Sequence, residues 1–464
     1  MRKRTMEELE ERLTRHVAKV QFENLPGETI AYAKLLIMDS LGVTFAGSRA
    51  PGCPEVVALA RAWSGGKGAT LLVHGEKVSP PLAALANSMM MHALDFDDTL
   101  DASALHTFVS VLPAALATAE SAGEVDGKQF LTALVLGVDV VCRLSLGIRR
   151  PLSWIRTATC GCFGAAAACA KLLKLSHDGL AHAMGIVYSQ CSGNAQGLIE
   201  GRLVKRMQPG FAAQAGLTSA FLAQAGITGS RRFLEGPYGF YPLYEGGDYD
   251  PEKVLEGLGE HYTIEDLSVK PYPCCRMTHA SIDGALELRD HVAGDLEEIK
   301  DIEVFTSRMV QKMVGKPFVI GTDPQVDAQF SIPYTVSVAL GKGDVFLGDF
   351  EVAAITDNTI NAVAQRVHVK VDQTLPEKDL FHSRIVITMK NQDRHETSVR
   401  VPLGNPAKPL SLEQCREKFK KCISSMETGI DERKVEELLF TVEHLEEVRD
   451  VSVLASLTRA AWLQ

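Results

Sequence analysis

The sequence predicts a mainly α-helical protein with a smaller α+β second domain. Three observations lead there. Alanine- and glycine-rich runs with apolar residues on nearly all sides dominate the first 225 residues, and period-two alternation begins only beyond residue 270. Helical patterning then returns after Pro406 and Pro409. At 464 residues the chain suits two or three domains and can bury an ample core. The predicted division is a large all-helical domain over 1–268, completed by C-terminal helices in 404–464, and an α+β domain over 269–403.

Taken in order, residues 7–22 and 29–46 read as amphipathic helices, with Leu9, Leu13, Val17 and Val20 on one stripe of the first. Residues 78–94, 107–122, 127–147, 160–173, 178–193 and 210–225 are richer in alanine and leucine and show little polar face. Such helices are buried among helices, and small residues let their backbones approach. Breaks fall at Gly65-Gly66, Ser79-Pro80-Pro81, Gly123, Arg149-Arg150-Pro151 and Gly226. No period of 20–50 residues repeats clearly, so no solenoid is expected. In the second domain, 301–306, 367–371, 384–389 and 396–401 alternate as strands, the last two joined through Asn391-Gln392-Asp393. Helical patterns at 277–291, 329–341, 348–354 and 356–364 interleave with them.

Composition narrows the function. The 48 basic and 58 acidic residues leave a net charge of −10 without a prominent Lys/Arg cluster, so nucleic acid and anionic membrane surfaces are poor partners. A 46% hydrophobic content excludes a disordered chain. The start, Met1-Arg2-Lys3-Arg4, runs into acidic helical sequence instead of an apolar core, so no signal peptide is expected. Apolar stretches such as Phe130 to Val141 look too short or too interrupted to cross a bilayer as lone helices, and the expected location is cytoplasmic. Most of the ten cysteines sit in apolar, helix-like sequence and read as reduced, buried thiols. Cys160-Gly161-Cys162 and Cys274-Cys275 lack a matching second pair at zinc-ligand spacing, so metal is not expected there.

Chemistry concentrates in three segments. The first is His92-Ala93-Leu94-Asp95-Phe96-Asp97-Asp98-Thr99-Leu100-Asp101, followed by His106. Three acids within four residues are costly to bury unless hydrogen bonds or a cation offset their repulsion. If the preceding helix continues, Asp95 and Thr99 share one face of it. The competing reading is a solvated helix end with capping aspartates. An aspartate-held divalent cation needs a second acidic cluster on a facing helix, and none has suitable spacing.

The second segment, Gly201-Arg202-Leu203-Val204-Lys205-Arg206, places three cations before a helix N-terminus, which suits carboxylate or phosphate ligands. Its alternative is a basic surface loop. The third, Lys270-Pro271-Tyr272-Pro273-Cys274-Cys275-Arg276, is a turn fixed by two prolines that leads His279 into a helix. Phosphate-loop, dinucleotide and nucleophile-elbow patterns do not appear. Carboxylates, imidazoles and ammonium groups together suit acid/base chemistry on a small anion without a cofactor.

The motifs from His92 to Thr99, at His106-Thr107 before Val111-Leu112-Pro113-Ala114, at Thr157-Ala158-Thr159-Cys160-Gly161, at Lys205 to Gly210 and at Lys270 to His279 resemble the MmgE/PrpD family. That family includes 2-methylcitrate dehydratase, cis-aconitate decarboxylase and iminodisuccinate epimerase. The resemblance implies a large helical domain with a smaller α+β lid domain, usually as a homodimer, while the residue inventory and ligand spacing lead to the expectation of no cofactor and no metal. Residue by residue it places pocket positions at Asp95, Thr99, His106, Lys205, Lys270 and Tyr334, and matches His279 to a family histidine. The chain departs from the family pattern twice. Leu105-His106-Thr107 replaces the His-Pro step of the decarboxylase pattern, one residue further along. The family's second pocket histidine is Ile155 here, in Ser153-Trp154-Ile155-Arg156, and Arg156 beside it offers a contact for an extra carboxylate.

The implied chemistry is proton transfer at a carbon α to a carboxylate. Lys205 and Lys270 would hold substrate carboxylates, Asp95 and Thr99 would orient the substrate, and His106 would act as general acid/base. Tyr334 would give a second proton or close the pocket. The expected activity is a cofactor-independent lyase, dehydratase or decarboxylase, or else an epimerase, on a small di- or tricarboxylate. Two rivals stand beside it. One is a catalytically silent helical binding or assembly protein, against which charges in apolar sequence argue. The other is a metal-dependent helical synthase, suggested by Asp95-Phe96-Asp97-Asp98.

Overall fold

The computed structural model describes residues 8–151, 154–292, 296–426 and 431–460, so the basic start Met1-Arg2-Lys3-Arg4 and Ser153 lie outside the described residues. The chain divides into two compact units. One runs to Leu267 and resumes at Leu412, and the other is Ser268–Ser411. The predicted boundary at 403/404 therefore moves outward. Val269 N–H donates to the Gly404 carbonyl at 2.9 Å and Gly404 N–H to the Lys408 carbonyl at 2.9 Å, which fastens 404–408 to the start of the second unit.

The first unit is helical: α1 Leu9–Lys19, α2 Gly27–Gly47, α3 Cys53–Ala62, α4 Pro80–His92, α5 Phe108–Ala122, α6 Gly127–Leu146, α7 Gly161–Leu172, α8 His177–Tyr188 and α9 Val204–Gln224. A two-residue ladder pairs Ala69–Thr70 with Lys77–Val78. Helix α9 packs against α4, α5, α7 and α8 and forms the unit's axis. Small residues permit that crowding. A Cβ on Gly216 of α9 would stand 2.4 Å from the Ala165 Cβ of α7, and one on Gly210 would stand 2.7 Å from the Leu85 carbonyl oxygen of α4. Alanine and glycine thus set the interaxial distance here.

Two sequence expectations change. Helix α9 begins at Val204, six residues before the predicted start, so Lys205 and Arg206 stand in its first turn instead of preceding it. Pro209 lies inside this helix, because a proline near a helix start removes one N–H bond without ending the helix. The apolar stretch around Phe130 to Val141 is not short either. It belongs to the 20-residue α6, which with α2 is long and apolar enough to cross a membrane by length and composition. The most apolar window of α6 is 89% buried inside the protein. Its two buried charges neutralise each other, Arg143 Nε donating to Asp139 Oδ2 at 2.6 Å one turn away. Arg143 also donates to the carbonyls of Glu256 and His261, each at 2.7 Å, and Asp139 accepts from Thr263.

The second unit holds α10 His279–Val292, β1 Ile299–Thr306, α11 Ile332–Lys342, β2 Val367–Val371, β3 Ser383–Met389 and β4 Arg394–Val399. The sheet order is β2-β1-β3-β4. β1 runs parallel to β2 with Ile302 beside Val367, and antiparallel to β3 with Ile302 beside Ile387. β3 and β4 form the hairpin that the sequence predicted around Asn391, with Val386 opposite Glu396. Inward residues such as Ile302, Val304, Ile385 and Ile387 join Ile282, Ala285 and Leu288 of α10 in one core. The chain then re-enters the first unit as α12 Leu412–Ser424, α13 Glu432–Glu443 and α14 Ser452–Ala460. All ten cysteines are free thiols, and every one except Cys275 is buried.

Candidate active site of the helical unit

The site grows from the end of α4. His92 is its last residue, and the chain then turns sharply because Asp95 takes φ +54°, a left-handed conformation that aspartate tolerates better than most residues. The helix therefore does not continue, and Asp95 and Thr99 do not share a helical face. From the far side, α12 sends Lys418 to support this turn. Its Nζ donates to the Phe96 carbonyl at 2.9 Å, lies 3.7 Å from the centre of the Phe96 ring and pairs with Asp39 of α2 at 2.6 Å.

The turn delivers two carboxylates inward. Asp98 closes the start of α5, accepting from Thr107 N at 2.9 Å, Thr107 Oγ1 at 2.8 Å and Phe108 N at 3.2 Å. Burial, followed by the neighbouring Asp97 charge, pushes its carboxyl up to about 6. Asp97 is fully buried. Its Oδ2 lies 2.9 Å from His92 Nδ1 and 3.0 Å from His106 Nδ1. Burial alone would raise this carboxyl, but the two imidazoles outweigh it and hold it well below the usual carboxylate range.

The two imidazole rings stand edge to face with centroids 4.9 Å apart. His92 Nε2 meets Lys205 Nζ at 3.1 Å, and the same ammonium donates to Asp95 Oδ1 at 3.3 Å. These partners assign the tautomers. His92 accepts from an ammonium at Nε2, so its proton sits on Nδ1 and is donated to Asp97. Burial, more than the adjacent charges, pulls its pKa down to about 4 and keeps it neutral. His106 Nδ1 faces Asp97 Oδ2 and the Asp98 carbonyl oxygen, the latter at 2.7 Å, so it too carries the proton. His106 Nε2 has no hydrogen-bond partner among the described residues, and the side chain is 14% exposed. Its backbone N–H donates to Thr157 Oγ1 at 3.2 Å, in the short helical turn Arg156–Thr159.

The result is a continuous chain from Asp95 through Lys205, His92 and Asp97 to His106. It brings together three of the sequence-predicted residues, Asp95, Lys205 and His106. It adds His92 and Asp97, whose part depended on a turn that residue spacing did not reveal. Ligand atoms of His92, Asp97 and His106 also lie within 4.8 Å of one another, a spread that a divalent cation could draw in. The hydrogen bonding fits protons better, because both Nδ1 atoms need a proton to bond the one carboxylate oxygen and an ammonium stands beside the cluster.

The other predicted residues have separate settings. Thr99 is buried just before the bridge that pairs Leu100 with Leu105. Arg156 donates to the Arg150 carbonyl at 2.6 Å. In the second unit, Lys270 is buried and His279 opens α10. His279 Nδ1 lies 3.0 Å from an Arg276 nitrogen, and its ring meets Tyr272 edge to face at 5.2 Å. The Tyr334 hydroxyl donates to the Asp349 carbonyl, and the ring is buried between Phe318 and Phe350. Burial also raises its phenol further above the physiological range. In this structure Tyr334 serves the core of the second unit.

Residues 11–252 match the MmgE/PrpD N-terminal domain and residues 272–444 the MmgE/PrpD C-terminal domain. Relatives along nearly the whole chain include a cis-aconitate decarboxylase-like protein of Aspergillus oryzae, 28% identical over 95% of each chain. The cis-aconitate decarboxylase of Aspergillus terreus is 26% identical over 94% of this chain and 92% of its own. That of Mus musculus is 27% identical over 96% of this chain and 92% of its own. With domain matches over most of its length, the chain belongs to the MmgE/PrpD family.

Proposed function

We propose that the protein is a cofactor-independent lyase acting on a small di- or tricarboxylate, and that decarboxylation of a cis-aconitate-like substrate is its favoured reaction. The observation that carries this reading is His106: Nδ1 anchored on Asp97 and the Asp98 carbonyl, Nε2 left without a partner. That is the geometry of a general acid/base. The cis-aconitate decarboxylases among the relatives favour carbon–carbon cleavage over the epimerase alternative, which they do not support.

In such a step the bond from an allylic carbon to its carboxylate breaks, and its electron pair forms a new carbon–carbon double bond. The far carbon of the old double bond, α to a second carboxylate, takes a proton from Nε2 of the doubly protonated His106 ring, which keeps its Nδ1 proton. Carbon dioxide leaves, and His106 regains its proton from water. Lys205, the ammonium of the cluster, neutralises a substrate carboxylate and the charge that develops on it. Asp95 keeps that ammonium in place. Charged groups this deep in an apolar interior have little use in a silent scaffold. For Lys270 the role of carboxylate ligand comes from the resemblance, and Lys270→Met should then raise KM.

Incubation with cis-aconitate and other polycarboxylates, followed by mass analysis, tests the reading. Loss of carbon dioxide is expected. His106→Ala should lower kcat/KM by about 10²- to 10⁴-fold. A variant that keeps most of the turnover would remove His106 from the mechanism. Turnover should also persist in a strong chelator, and loss of activity there would revive the metal-dependent synthase.

A further inference from the structure

Resting on that reading, we propose that Asp97 and His92 are the positioning pair of this site. Asp97 orients His106 and balances the charge that its ring acquires, while His92 is a neutral bridge fastening the Lys205 ammonium to the same carboxylate. Neither residue needs to touch substrate for this.

Three observations argue it. Both imidazole bonds converge on Oδ2 of Asp97, at 2.9 and 3.0 Å, and Oδ1 has no partner among the described residues. A fully buried carboxylate with one oxygen idle is costly unless its charge answers another. When His106 holds a second proton on Nε2, that other charge is the imidazolium, and Asp97 lies in direct contact with it. The second observation is the orientation of His92. Nδ1 faces the carboxylate and Nε2 faces Lys205 Nζ, so the ring transmits position from Lys205 to Asp97 without carrying charge. The third is that the Asp98 backbone carbonyl also accepts from His106 Nδ1. Two acceptors on that nitrogen commit Nε2 to the chemistry.

The tautomers give a readout independent of turnover. Both rings, when neutral, should carry their proton on Nδ1 and leave Nε2 bare, although a histidine side chain in water prefers the opposite form. Nitrogen-15 NMR of the histidine-labelled full chain, at about pH 8 where an ordinary imidazole is neutral, should show His92 and His106 among the histidines of this kind. They are identified by their absence in His92→Asn and His106→Asn. Either ring with its single proton on Nε2 and Nδ1 bare would overturn the pair.

Kinetics supplies the second arm. Asp97→Asn keeps the shape and removes the charge, so kcat should fall about 10²-fold or more while KM moves less than about threefold. Equal losses in kcat and in folded fraction would make Asp97 merely structural and sink the proposal. Should the variant fail to fold, the NMR of the unaltered chain still decides. Failure of the proposed function looks different: no polycarboxylate is turned over, yet both Nδ1–H tautomers are present. Turnover with Nε2–H rings would overturn the pair alone.

Discussion

His92 is kept neutral in a position where an exposed histidine would take a proton below its ordinary pKa of 6.5, and that difference is measurable as stability. Its folded pKa lies near 4. Between those values the unfolded chain binds a proton that the folded chain refuses, so this ring's contribution is lost as pH falls from 6.5 toward 4. The span corresponds to about 3 kcal/mol. Asp98 acts in the opposite sense: its carboxyl, raised from 3.8 to about 6, makes folding more favourable as pH falls through the same window. The stability of the unaltered protein alone would blur the two, and a difference separates them. The stability gap between the native chain and His92→Asn should narrow by up to about 3 kcal/mol from pH 7 to pH 4, measured by urea unfolding. A gap that does not change with pH would mean that His92 takes a proton in the folded chain as readily as in the unfolded one. At this scale the sequence exposed the ingredients, Asp95, His106 and Lys205, because charge inside apolar sequence is conspicuous. It concealed the roles of His92 and Asp97, because those depend on the left-handed turn at Asp95 and on α9 arriving from more than a hundred residues away.

Helices α4, α5, α7 and α9 were legible from their alanine-rich runs, since apolar residues on all sides leave a helix nowhere to go except among other helices. Their ends were less legible. Helix α9 began early because local propensity could not show that Pro209 is tolerated in its second turn, and the third helix, Cys53–Ala62, was not anticipated. Crowding around α9 leads to a prediction at this scale. Gly216→Ala puts a methyl group 2.4 Å from Ala165 Cβ and 2.7 Å from the Ala166 backbone nitrogen, so the helices must separate. Overpacking of this kind costs about 1–3 kcal/mol. The control is Gly27→Ala at the start of α2, where nothing lies within 4 Å of the added atom. Removing that glycine should leave stability equal or raise it by up to about 1 kcal/mol. Equal unfolding midpoints for the two variants would show that α7 and α9 have room to spare. Because Lys205 rides on α9, Gly216→Ala should also raise KM for whatever carboxylate is turned over.

On the scale of the whole molecule, the change of texture near residue 270 marks a real seam, for a physical reason: buried helix packing needs small residues, and a sheet with one covered face needs alternation. The exact limits were invisible because 404–411 carry neither pattern and are held by backbone bonds such as Val269 N–H to the Gly404 carbonyl. The same bond has a consequence for autonomy. Entry and exit of the second unit lie side by side, and its apolar core is built from its own residues, between Tyr272 and Met389. A unit with closed ends and a private core meets the requirements of an independently folding domain. The fragment 268–411, expressed alone, should therefore fold. It should give the circular dichroism of a mixed α/β protein and a single cooperative urea transition. Its near-ultraviolet signal should come from buried Tyr272 and Tyr334, as the hydroxyls' partners, Asp283 and Asp349, are retained within the fragment. A broad, non-cooperative transition would show that the second unit depends on the helical one for its stability.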